Sequence, residues 1–154
     1  MKKIVLSIEM IPQTSWFSNV RSAVSKAQWD VLRKQVYANA YHICQICGGV
    51  GPKHPVEAHE IWKYDDKNLV QKLEGMIALC PNCHMVKHIG LAQVQGKKDL
   101  ALKHLMKVNK ISKKDAEQYI ADSFMVWAMR STKSWTLDLS GLKLYGLDPK
   151  NIKK

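Results

Sequence analysis

Two short cysteine motifs constrain this chain more than anything else in it: Cys44-Gln45-Ile46-Cys47 and Cys80-Pro81-Asn82-Cys83, which hold all four of its cysteines. A C-x2-C turn puts two sulfurs on one side of a tetrahedron, and a second such turn closes it. Four cysteines in a small secreted domain would suggest disulfides, whereas paired C-x2-C motifs in an intracellular chain point to metal. A redox site of the thioredoxin type needs one such pair beside a βαβ pattern. The expectation is therefore a structural Zn2+ held by Cys44, Cys47, Cys80 and Cys83. Both halves of that ligand set must fold before the site closes, so metal binding and stability are coupled.

The segment between the pairs has room for a β-hairpin. Gly48, Gly49, Gly51 and Pro52 make the first pair a turn-rich knuckle. A strand is predicted over 56–64, a turn at Asp65, Asp66 and Asn68, and a returning strand over 69–79 with Gly75 as a bulge or bend. Pro81 sits at the first turn of a short helix running to about Ile89. Outside this unit, residues 4–11 read as a short strand ended by Pro12, and 12–22 as irregular. Ser25 reads as the N-cap of a helix over 26–40, with Trp29, Leu32, Val36 and Ala40 on one face. A helix over 97–109 places Ala101, Leu102, Leu105 and Met106 together. Ser112 and Asp115 resemble a capping box opening a helix over 113–130. Residues 135–145 are expected to form a small hairpin or edge strand able to pair with the N-terminal strand. The chain is thus parsed as 1–40, 41–90 and 91–154, within one compact domain.

The histidines are unevenly placed. His84 directly follows Cys83, and His88 lies four residues on, so the two share a helix face. The first hairpin strand carries His59 and Glu60. Three imidazoles from these two elements can bind a second divalent ion and leave coordination positions open, as catalysis requires. A competing reading has His84 hydrogen-bonding a zinc thiolate. His42, His54 and His104 are expected to be surface or hydrogen-bonded residues.

Taken in order, CQIC (44–47), EAHEIW (57–62) and ALCPNCHMVKH (78–88) resemble the zinc-stapled, four-cysteine HNH endonucleases. The resemblance covers about residues 41–90. It implies an α+β fold: a ββα-metal core stapled by a four-cysteine zinc site, with flanking helices and a small terminal β element. It implies that His59, His84 and His88 hold the catalytic metal, whether Mg2+, Mn2+, Ni2+ or Zn2+, and that Glu60, His59 and His84 form the catalytic set. Glu60 stands where the family usually has a histidine base, and Gly75 where it usually has the asparagine that orients that base. The implied activity is metal-dependent phosphodiester hydrolysis. The alternative is a non-catalytic, zinc-dependent nucleic-acid-binding module that has lost the base.

The net charge of +11 makes an acidic partner the first expectation, with nucleic acid the commonest and DNA ahead of RNA. Most of the surplus lies after residue 96. Lys87, Lys97, Lys98, Lys103 and Lys107 are expected to contact phosphates without reading sequence. A protein partner or self-association is a third class. The apolar stretch after Lys2 and Lys3 is shorter than a signal peptide requires, and no run approaches the roughly 20 apolar residues of a membrane span. The expectation is a soluble, cytoplasmic protein with no membrane partner.

Overall fold

In the computed structural model, which describes residues 3–152, element boundaries fall where capping and turn residues put them. A short helical turn, α1 (Val20–Ala23), is capped by Asn19. The longer α2 (Lys26–Asn39) opens on a complete capping box, in which Ser25 Oγ accepts from the Gln28 amide while the Gln28 side chain accepts from the Ser25 amide. This helix buries Leu32 and Val36, two of the positions its periodicity marks. Beyond its end, Tyr41 and His42 both adopt positive φ, 54° and 58°. That conformation is uncommon for residues with a Cβ, and here it turns the chain sharply into the first cysteine pair.

Strands β1 (Glu57–Asp65) and β2 (Val70–Leu79) form the antiparallel hairpin. Asp65 closes its turn by accepting from the amides of Lys67 and Asn68 and from the Asn68 side chain. The register runs Ile61 opposite Gly75, then Trp62 opposite Leu73, so Glu74 is the extra residue of a β-bulge. Tyr145 closes over Gly75. A Cβ on Gly75 would stand 3.3 Å from Tyr145 Oη, and that oxygen accepts from the Met76 amide at 2.6 Å.

Four helices follow: α3 (Pro81–Lys87), α4 (Ile89–Val94), α5 (Lys98–Asn109) and α6 (Lys113–Arg130). Ser112 caps α6 by accepting from the Asp115 amide. A last short strand, β3 (Thr136–Asp138), adds parallel to β2, giving the sheet order β1-β2-β3. The fold is mixed α+β. Its core gathers Leu32 from α2, Leu73 and Leu79 from β2, Val86 from α3, Ile89 from α4, Leu105 from α5, and Leu6 and Leu142 from the terminal segments. Among the described residues, no helix is long and apolar enough to cross a membrane.

At the termini one expectation fails and another holds in part. Residues 4–11 belong to no sheet, and the chain bends at Val5 and Leu6. Their backbone groups are satisfied by other means: Asn109 Oδ1 accepts from the amides of Val5 and Leu6, its Nδ2 donates to the Leu6 carbonyl, Tyr119 Oη accepts from the Ile8 amide, and the Lys87 carbonyl accepts from the Glu9 amide. With these groups paired, nothing remains to drive a ladder. The region 135–145 forms no hairpin but does supply an edge strand, the other form expected of it, which pairs with β2 and not with the N-terminal segment. Only residues 136–138 are strand, their partner is β2, and residues 140–145 coil into a 3-10 helix against the sheet.

Asn109 is 4% exposed and supplies three hydrogen bonds to the N-terminal segment. Asn109→Ala would leave those backbone groups unpaired, so a loss of about 3 kcal/mol is expected in urea unfolding of the zinc-loaded protein. A loss below about 1 kcal/mol would show that the segment is held in some other way.

Candidate metal centres

The four cysteine sulfurs converge, each within 4.8 Å of the others. Local backbone geometry explains how. Cys80 is the N-cap of α3, and its sulfur accepts from the Cys83 amide; Cys44 Sγ accepts from the Cys47 amide and Cys47 Sγ from the Gly49 amide. Gln45 ties the two knuckles together, since its amide donates to the Ala78 carbonyl while its side-chain oxygen accepts from the Ala78 amide. Gly51 is required sterically, because a Cβ there would overlap the His54 carbonyl and the Pro81 ring. Burial disfavours the Cys44 thiolate, yet amides of Cys47, Cys80 and Ile46 outweigh it and bring that thiol down to about 7. Burial pushes Cys80 up to about 11 and Cys83 upward as well. Four crowded sulfurs cannot all carry charge unless a cation sits among them. The donor set fits a tetrahedral thiophilic ion such as Zn2+.

His104 of α5 belongs to this centre, with Nε2 lying 3.2 Å from Cys83 Sγ. Sequence spacing makes His84 the candidate for that thiolate contact; the structure puts His104 there instead. The only signal for it in the sequence is a histidine on the apolar side of a predicted helix.

The second centre is built from His59 on β1, His84 on α3, and His88 at the junction of α3 and α4. One nitrogen from each lies within 4.8 Å of the other two, and the rings meet edge to face with centroids 4.9–5.2 Å apart. His59 is 3% exposed, while the His84 side chain is 24% exposed. Two carboxylates orient the rings. Glu57 Oε1 lies 2.9 Å from His84 Nδ1, and Glu9 Oε1 lies 3.1 Å from His59 Nε2. A neutral imidazole donating to a carboxylate through one nitrogen presents the other as a lone pair. His84 Nε2 and His59 Nδ1 are thereby the free ligand positions.

The electrostatics favour the neutral form of the two more deeply buried imidazoles, His59 and His88. Burial lowers His59, and burial together with the neighbouring His84 and His59 takes His88 down to about 3. Burial also opposes ionisation of Glu9, but His59, Lys87 and Ser7 hold its carboxyl at about 2. Glu57 is brought to about 2 chiefly by His84, with a further contribution from His54. Three imidazoles backed by ionised carboxylates suit a divalent cation. Glu57 does not stand out as a site residue in the sequence and Glu9 shows only as a charge interrupting an apolar run, since both reach their histidines through the fold.

The remaining expected site residues scatter. Glu60 follows His59 but projects to the other side of β1. Its Oε1 accepts from the amides of Val20 at 2.9 Å and Arg21 at 3.3 Å, at the start of α1. Burial raises it to about 7 despite those amides. Asn68 stays in the hairpin turn on Asp65. Lys87 is corrected: it is 4% exposed, with Nζ paired to Glu9 and Ser7, so it presents no charge to a phosphate. Lys97, Lys98, Lys103 and Lys107 are exposed on and just before α5. A groove of about 700 Å3 runs between α2 and the start of β1, with His84 in its lining.

Strong chelation at neutral pH should unfold the protein cooperatively, and Cys83→Ser should lower its melting temperature by at least ~10 °C. An unchanged melt on full metal removal would separate the metal from stability. Glu9→Gln would leave the Lys87 ammonium buried without a counter-charge, so a loss of about 3 kcal/mol is expected in urea unfolding. No family model, curated protein or solved structure matches this chain.

Proposed function

We propose that the protein is a metal-dependent endonuclease of the HNH type that hydrolyses phosphodiester bonds, in DNA ahead of RNA. One observation carries this reading. Three imidazoles converge at a place separate from the cysteine centre, two of them are oriented by ionised carboxylates, and one, His84, is open to a groove. A purely structural second centre would not need an accessible ligand.

His59, His84 and His88 would hold the divalent cation. When bound, such an ion supplies Lewis-acid stabilisation of the phosphoryl charge and of the departing oxygen. An all-imidazole set favours Ni2+ or Zn2+, and then Mn2+, over Mg2+, which prefers oxygen ligands. Glu57 and Glu9 keep the ligand rings in the required tautomer. To take a proton from the attacking water in this reading, the Glu60 carboxyl would have to leave the Val20 and Arg21 amides and turn toward the histidine centre. The exposed lysines Lys97, Lys98, Lys103 and Lys107 supply phosphate attraction.

A second reading is favoured by one specific contact. The α1 amides hold Glu60 Oε1 on the side of β1 away from His59. A protein whose base is committed there would be a nucleic-acid-binding module that keeps the zinc fold and does not cut.

The deciding assay is nicking of supercoiled plasmid by zinc-loaded protein with Ni2+, Mn2+ or Mg2+. The nuclease reading expects cleavage that falls at least ~100-fold in His84→Ala and by about 100-fold in Glu60→Gln. Folded protein that binds DNA and cuts with none of these metals would overturn it in favour of the binding module.

A further inference from the structure

The groove with His84 in its lining has a composition of its own. Along α2, Lys26, Trp29, Arg33 and Tyr37 follow one another at spacings of three or four residues, so they form a single stripe facing the groove. Trp29 and Tyr37 are two turns apart, about 12 Å along the axis. Each carries a guanidinium against its ring: Arg21 lies 5.9 Å from the Trp29 centroid and Arg33 lies 6.0 Å from that of Tyr37. The two carboxylates in the groove are engaged, Asp30 by Arg33 and Glu57 by His54 and His84. Among the described residues neither Arg21 nor Lys26 forms a salt bridge, and both are exposed. The cleft is therefore positive and aromatic, and its lining includes a member of the histidine centre.

We propose that this groove binds an unpaired stretch of nucleic acid, so that the strand delivered to His84 is single-stranded or locally opened. This rests on the nuclease reading for what happens at His84. Cationic side chains that track a backbone, alternating with aromatic rings that accept base faces, are the recurring chemistry of single-strand binding. Size points the same way. A recess of about 700 Å3 is in the range that holds a drug-sized ligand or a few nucleotide units. A duplex presents a stiff convex surface that would ride over such a recess without bringing bases to Trp29 or Tyr37. Glu60 contributes indirectly, since its hydrogen bonds from the Val20 and Arg21 amides anchor the turn that carries Arg21.

The test is fluorescence anisotropy on the zinc-loaded full chain without added divalent metal. The probes are a labelled oligothymidylate of roughly 12 nucleotides and a duplex of equal length. The single strand should bind at least about fivefold tighter. The double variant Arg21→Ala/Lys26→Ala alters only exposed side chains. It should weaken single-strand binding about tenfold and flatten the log–log salt dependence by about 1.4, the value for two lost phosphate contacts on a single strand. Lys103→Ala/Lys107→Ala should weaken it less. Duplex binding as tight as single-strand binding, or unchanged affinity in Arg21→Ala/Lys26→Ala, would overturn the proposal. The assay has no cleavage step, so a protein that prefers single strands but never cuts would keep the groove assignment and remove the nuclease reading.

Discussion

The closure of four sulfurs at one point governs the rest of the molecule. Cys80 follows β2 and caps α3, and Cys83 lies in the first turn of that helix. Cys44 and Cys47 belong to the knuckle after α2. A cation holding all four pins α3 against the hairpin in a single orientation. His84 and His88 ride on the same short helix, so their meeting with His59 depends on that pin. A seven-residue helix has little stability of its own in water; here the cysteine cap, the buried Val86 and the contact of Cys83 with His104 hold it in place.

The N-terminal segment plays the complementary part. It meets the end of α3 and places Glu9 between His59 and Lys87. One carboxylate thereby balances the buried ammonium and fixes the tautomer of a buried imidazole. Asn109 and Tyr119 hold this segment by its backbone, so α5 and α6 contribute to the histidine centre without touching it. Any disturbance of the segment should reach His59 through Glu9.

Features encoded locally were legible in the residues. The cysteine pairs, the Ser25 cap and the Asp65–Asn68 turn each carry their own chemistry, and the elements they bound lie within a residue or two of expectation. The convergence of His59, His84 and His88 was also foreseeable, because a hairpin and a helix stapled by common ligands have few ways to pack. What escaped was set at long range. The apolar residues of 4–11 look like a strand, yet an asparagine about a hundred positions away takes up the backbone groups of Val5 and Leu6. Lys87 looks like one more surface lysine, and only the fold reveals the carboxylate that draws it inside. Glu9 did carry a signal, since a charge that interrupts an apolar run calls for a buried partner. Glu57 and His104 carried almost none, because the roles of both exist only through groups brought up by other elements.

In the proposed reading this chain holds two chemically distinct metal centres, one of sulfur and one of imidazole. Titration of the metal-free protein with Co2+, followed by optical absorption, tests it most directly. Two equivalents should bind. The first should give the thiolate-to-cobalt charge-transfer band of a site with four thiolate ligands. The second should add ligand-field absorption without further thiolate intensity, and only the second should vanish in His84→Ala. Saturation at a single equivalent, or a second equivalent unaffected by His84→Ala, would contradict the claim.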